Sequence, residues 1–404
     1  MSAYILDWLS LLGRWVHLIT GIAWIGSSFY FVWLDNHLLR PADPDLERKG
    51  VGGELWAVHG GGFYNAHKYR GAPPALPKSL HWFYWEAYST FLSGLFLLCL
   101  LYYAQAEIYL IDPAVANLSK PQAIAIGLGF LVGGWLVYDG LCRTALANHG
   151  LALSGVLTVL LTAAAWSMCQ LFSGRGAYME FGAMLGSIMV ANVFFVIIPG
   201  QRKMVQAMRE GREPDVTLGL KGKLRSTHNT YFTLPVLFTM ISSHYAMTYG
   251  ANYNWLVLIV LCIAGVCIRQ YFVARHKAHE RNGRTSPLPA VLGVLLLAGV
   301  AVALTPTPRT EAAAATVNAA AAFGRVQAIM YLRCANCHAA VPTQLGFNEA
   351  PKGVKLDSPE GILTHVTQIQ QQIASRAMPV GNLTAMTEEE RTEVLGWIQH
   401  GAAH

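Results

Sequence analysis

Residues 254–273 read NWLVLIVLCIAGVCIRQYFV, an almost unbroken apolar run. At 1.5 Å per residue such a run forms a helix that matches the hydrocarbon thickness of a bilayer. Seven further runs of similar character lie near 7–34, 82–104, 122–141, 150–172, 179–199, 230–249 and 288–305. Composition agrees with this pattern. The chain of 404 residues is 53% hydrophobic and only 13% charged, about half the charged share of a soluble globular protein. A disordered chain and a soluble enzyme are both excluded, and the expected fold is all-α, an eight-helix transmembrane bundle over residues 1–305. The first run begins too close to the terminus for a basic leader and shows no small-residue cleavage site, so it reads as a retained helix.

The net charge of +6 does not mark a nucleic-acid surface, because the basic residues sit in short loops between the apolar runs. Loops 35–80, 142–149, 200–229 and 275–287 hold 18 Lys and Arg, whereas loops 105–121, 173–178 and 250–253 hold 2. The positive-inside bias then places the first set in the cytoplasm and both termini outside. The GxxxG pairs Gly129/Gly133 and Gly182/Gly186 read as helix-packing faces.

After Pro306 the character changes. An Ala-rich linker, 306–323, leads into a polar segment, 324–404, which is expected to form a small external domain of α-helices. A unit of this size needs a covalent staple. The run Cys334-Ala335-Asn336-Cys337-His338 supplies one. Two thiols at this spacing add to the vinyl groups of a single haem while the adjacent His binds iron. Neither a zinc knuckle nor a dithiol redox pair requires that His. The sixth ligand is expected to be Met378, in the turn-rich Ala377-Met378-Pro379-Val380-Gly381-Asn382, in preference to Met386. Thr387 to Glu390 form a capping box that opens the last helix, with Val394, Leu395 and Ile398 on one stripe. Cys99, Cys142, Cys169, Cys262 and Cys267 stand alone and read as small buried apolar residues.

Ionisable groups inside apolar helices are costly and mark functional positions. His17 and His244 fall in the outer half of their spans. They are either a bis-His pair for a haem b or two separately bonded imidazoles. A second group, His81, Glu86, Asp139, Arg143, His149 and His228, collects at the cytoplasmic boundary. An anionic heterocycle bound there needs cations such as Arg143 or Arg225, and a base to take its proton. The stretch His59-Gly60-Gly61-Gly62-Phe63-Tyr64-Asn65-Ala66-His67 is either an anion-cradling turn or a flexible loop.

These pieces together resemble the PuuD-type membrane urate oxidases of bacterial purine catabolism. The resemblance is carried by His59-Gly60-Gly61-Gly62-Phe63-Tyr64, by Leu80-His81-Trp82-Phe83-Tyr84-Trp85-Glu86-Ala87-Tyr88, by the eight apolar runs, and by the CANCH and MPVGN segments. It implies an eight-helix urate-oxidising domain fused to a class I-like cytochrome c in the bacterial inner membrane. It also implies conversion of urate to 5-hydroxyisourate, with electrons passing to a respiratory acceptor, a soluble cytochrome c or a terminal oxidase. Trp15-Val16-His17 with Trp24-Ile25-Gly26 is similar to copper-resistance D and HemJ-like membrane proteins, which implies haem b at His17.

Urate oxidation releases two electrons, and about 30 Å of hydrocarbon separates a cytoplasmic substrate from an external haem c. At least one haem b within the helices is therefore expected, on His17 and His244, with Glu86, Asp139 or His81 as the base and Arg143 beside them. Two other readings share the layout. One is a membrane-anchored cytochrome c that only carries electrons; the other is a quinol or small-molecule dehydrogenase.

Overall fold

The computed structural model describes residues 3–71, 73–279, 285–305, 319–344 and 347–402. Helix α1 (Ala3–Asp35) is followed by a short α2 (Pro44–Arg48) and a hairpin of β1 (Val51–His59) and β2 (Gly62–Tyr69). Next come α3 (Trp85–Leu97), the short α4 (Ala106–Tyr109), α5 (Lys120–Leu141), α6 (Gly150–Leu171), α7 (Gly174–Ala191) and α8 (Ile198–Arg209). Helices α9 (Val216–Ser242), α10 (Ala246–Tyr249), α11 (Asn254–His279) and α12 (Leu288–Ala303) complete the apolar part. The C-terminal unit has α13 (Ala319–Arg333), α14 (Pro359–Thr364), α15 (Val366–Ala374) and α16 (Glu388–Gln399).

The continuous helix α7–α8 is the axis of the bundle. Its apolar window is 61% buried, against 6% for α1, so the other helices pack around the first and only lean on the second. Tyr178, Phe181 and Leu185 on α7 meet Met168, Ala123 and Leu258 from its neighbours in one core. Small residues set the closest approaches. Gly182 of α7 faces Thr239 of α9, and Gly94 of α3 faces the ring of His17. Gly129, Gly133 and Gly186 have no neighbour within contact range of an added Cβ. The first two are therefore not a packing face within this chain; with Gly134 they line an apolar cleft between α5, α6 and α7.

Each expected apolar run coincides with a helix, and among the described residues six helices are long and apolar enough to cross a bilayer. Helix α9 carries Lys221, Lys223 and Arg225 in its first half. Helix α12 has 16 residues, about 24 Å of rise. The large apolar side chains exposed along α1, among them Trp8, Leu11, Trp15 and Ile19, are compatible with a helix that faces lipid.

The described residues are mostly helical, as expected, with one two-stranded hairpin beside the helices. The stretch around Gly60–Gly62 is the tip of a β-hairpin, with His59 paired to Gly62. Gly60 and Gly61 have φ of 58° and 81°, and a two-residue turn with both central residues left-handed is the connection that suits the twist of a hairpin. Lys68 Nζ lies 2.7 Å from Asp35 Oδ1 and ties the hairpin to the end of α1.

The C-terminal unit has its own core of Val326, Met330, Ile362, Ile373, Met386, Val394 and Trp397. The expected capping box forms: Thr387 accepts from the Glu390 N–H and Glu390 accepts from the Thr387 N–H. Most of the Ala-rich linker lies outside the described residues, and α13 already runs from Ala319.

Candidate functional site

Three of the ionisable residues singled out at one end of the bundle are joined. Asp139, near the end of α5, receives Arg225 Nη2 on Oδ1 at 2.7 Å and Arg143 Nε on Oδ2 at 2.6 Å. Arg225 is buried on α9, and its guanidinium carbon lies 4.9 Å from the ring centroid of Tyr138. The next turn of α9 brings in His228, whose Nδ1 is 2.7 Å from the Tyr138 hydroxyl. Asn192 completes the network. Its Nδ2 donates to Asn229 Oδ1 at 2.8 Å and to the Tyr138 oxygen at 3.2 Å, while its Oδ1 accepts from Arg225.

Asn192 owes its position to a break in regular geometry. Residues Asn192–Ile197 form a π-helical turn between α7 and α8, and a wide turn of this kind re-aims side chains and is frequent at functional sites. A second π-helical turn, Leu98–Tyr103, extends α3. It delivers the Tyr103 hydroxyl to Glu180 Oε2 at 3.4 Å. Glu180 is fully buried on α7, and its Oε1 has no hydrogen-bond partner.

The remaining expected residues fall outside this network. Glu86, at the start of α3, has a buried Oε2 without a partner among the described residues. His81 is exposed, with its ring edge-on to Phe83 at 4.5 Å. His149 caps the start of α6. His17 Nδ1 lies 3.0 Å from both the Thr90 carbonyl oxygen and Ser93 Oγ, so its ring is held on α3. His244 is exposed in the turn that follows α9.

Sequence reasoning missed Tyr138, Asn192, Asn229, Glu180 and Arg269. A signal for two of them was present: Glu180 and Arg269 are the lone charges of the runs 179–199 and 254–273.

A family profile described as "Urate oxidase N-terminal" matches residues 3–305, the whole apolar part. The chain belongs to the urate oxidase N-terminal family. Neither a curated protein nor a solved structure matches it. The family region thus coincides with the bundle that holds the Asp139–Arg225–His228 network. The C-terminal unit lies beyond the match.

That unit meets the family region at the end opposite the hairpin. Gly381 sits so close to α4 that an added Cβ would lie 2.6 Å from the carbonyl oxygen of Ile108 and 3.1 Å from that of Ile111. Gly250 meets the carbonyl of Ser375 in the same way. Burial pushes the Asp112 carboxyl up from the ordinary carboxylate range, and the charges of Arg391 and Arg376 oppose the shift. The loop carrying Met378 is therefore the surface that faces the bundle.

The residues around Cys334 fit a covalently attached haem. Cys334 and Cys337 are free thiols at the end of α13. Burial pushes the Cys334 thiol up to about 12, the reverse of what a reactive dithiol pair requires. His338 Nδ1 is 2.9 Å from the Val354 carbonyl oxygen, a contact that orients a metal-binding imidazole and leaves Nε2 for the metal. Met386 is 3% exposed inside the core, which leaves Met378 as the thioether on a loop. Arg391 holds that loop by donating to the Met378 carbonyl at 2.8 Å.

Proposed function

We propose that this protein is a membrane-bound urate hydroxylase that passes electrons to its own C-terminal c-type cytochrome. The observation that carries the reading is the family match over residues 3–305, the part that buries the charged network. The overall reaction takes urate and water to 5-hydroxyisourate, two protons and two electrons. The basic loops at the hairpin end support a topology with the network on the cytoplasmic side of a bacterial inner membrane and the C-terminal unit in the periplasm.

The chain's own residues divide the work. Asp139 already accepts a guanidinium N–H on each oxygen, so its role is to fix Arg225 and Arg143. Glu86, with Oε2 buried and unpartnered, is the base that takes the proton from the reacting water or from urate. His228, oriented by Tyr138, holds or passes a proton within the Asp139–Arg225 network. At the far end, Cys334, Cys337, His338 and Met378 hold a c-type haem, which supplies one-electron redox chemistry when bound. A respiratory cytochrome c or terminal oxidase then serves as the external acceptor. His17 keeps Nε2 free of hydrogen bonds among the described residues and is the position for a haem b within the bundle, a role His244 does not share through any contact.

Purified protein supplied with urate and an oxidised acceptor tests this reading. It should form 5-hydroxyisourate without stoichiometric peroxide. Peroxide in equal amount to the urate consumed, or turnover with quinol but none with urate, counts against it.

A further inference from the structure

Arg143 and Arg225 are both committed to Asp139, which leaves the substrate anion without a cation in that network. Helix α11 supplies another. Arg269 is 8% exposed, and both its Nε and its Nη2 are buried without a hydrogen-bond partner among the described residues. Its guanidinium carbon lies 3.9 Å from the ring centroid of Phe29 on α1, so one face of the cation is covered by an aromatic ring. Tyr231 of α9, close enough to act on Arg269 electrostatically, turns its hydroxyl instead to Gln270 Oε1. Three helices thus converge on a guanidinium whose Nε–Nη2 edge meets no hydrogen-bond acceptor among the described residues.

A buried, unpaired guanidinium is costly, and an anion that accepts from it removes the cost. Nε–H and Nη2–H form one edge of the guanidinium plane, the fork that grips a planar acceptor through two parallel bonds. The urate monoanion presents a ring nitrogen and the neighbouring carbonyl oxygen side by side in one plane. We propose that Arg269, backed by Phe29, is the residue that binds the urate anion, through Nε–H and Nη2–H. The inference rests on the urate reading above and adds the substrate contact to it. The base lies at a similar depth. Gly21 of α1 lies against Thr90 of α3, so one turn further along this antiparallel pair Glu86 is level with Ile25, one turn from Phe29.

Equilibrium dialysis of radiolabelled urate against anaerobic, full-length protein tests the assignment. Arg269→Gln should weaken urate binding by roughly tenfold or more, with partial recovery in Arg269→Lys. The haem spectrum and its reduction by ascorbate should stay unchanged in both, which shows that the variants are folded. Phe29→Leu should raise KM for urate more than it lowers kcat. Wild-type urate affinity in Arg269→Gln overturns the proposal. If that variant also loses a co-purifying anionic phospholipid, the guanidinium serves a lipid phosphate instead. Wild-type protein that neither binds nor oxidises urate overturns the functional reading itself, and the proposal with it.

Discussion

Arg225 reaches across from α9 to Asp139 on α5, with 2.7 Å between Nη2 and Oδ1 and side-chain exposures of only 4% and 13%. Removing one partner of such a pair strands the other charge, at a cost of about 3–5 kcal/mol. Asp139→Asn should therefore destabilise the protein by that order and abolish urate turnover. Arg143 is 72% exposed on its side of the same carboxylate, and an exposed pair contributes about 1 kcal/mol or less. Arg143→Gln should shift the melting temperature little. Equal losses in the two variants, measured by thermal unfolding in detergent, would contradict this ranking.

The sequence made the bundle legible because apolar runs of bilayer length have few alternatives to a helix. It made Asp139, Arg143, Arg225 and His228 legible because polar residues at helix ends stand out against apolar runs. It concealed what joins them. Tyr138 and Asn192 lie one residue from a charge and mid-run respectively, and only the α5–α7–α9 packing and the π-helical turn reveal them as partners of His228 and Arg225. The hairpin was hidden for a related reason: three glycines permit many conformations, and pairing between 51–59 and 62–69 selects one.

The contact between Gly381 and Ile108 predicts that docking depends on a missing side chain. Gly381→Ala should slow urate-driven haem reduction while ascorbate reduces the haem normally. Gly353 is the matched control. Its φ of 68° imposes the same backbone strain, yet nothing lies near an added Cβ. Gly353→Ala should lose stability but keep the transfer rate. Equal rates in both variants would remove the seat as a route for electrons.

The two candidate thioethers separate cleanly. Met378→Ala should abolish the near-infrared sulfur-to-iron band of the oxidised haem with little unfolding. Met386 packs with Val394 and Met330, and truncating a buried Met costs about 2–5 kcal/mol. Met386→Ala should keep the band and lower the unfolding temperature of the C-terminal unit. The opposite pattern would exchange the two assignments.

Acid should loosen the C-terminal unit first at Glu390. Burial works to raise this carboxyl, but its pairing with Arg333, 2.9 Å from Oε1, and the Thr387 N–H outweigh burial and hold it below the ordinary carboxylate range. A depressed carboxyl stabilises the fold above its unfolded value and loses that contribution as pH falls through its folded value. Circular dichroism should therefore show a stability loss below about pH 4.5 that is absent in Glu390→Gln. An identical acid limb in the variant would rule the pair out as its source.

Electrons drawn from urate are expected to pass from the family region to the unit bearing Cys334 and Cys337. Anaerobic titration of the purified oxidised protein with urate, with the haem c absorbance recorded, tests it most directly. The account predicts reduction of the haem in proportion to 5-hydroxyisourate formed, approaching two electrons per urate when an external acceptor is supplied. A haem that stays oxidised while urate is consumed contradicts it.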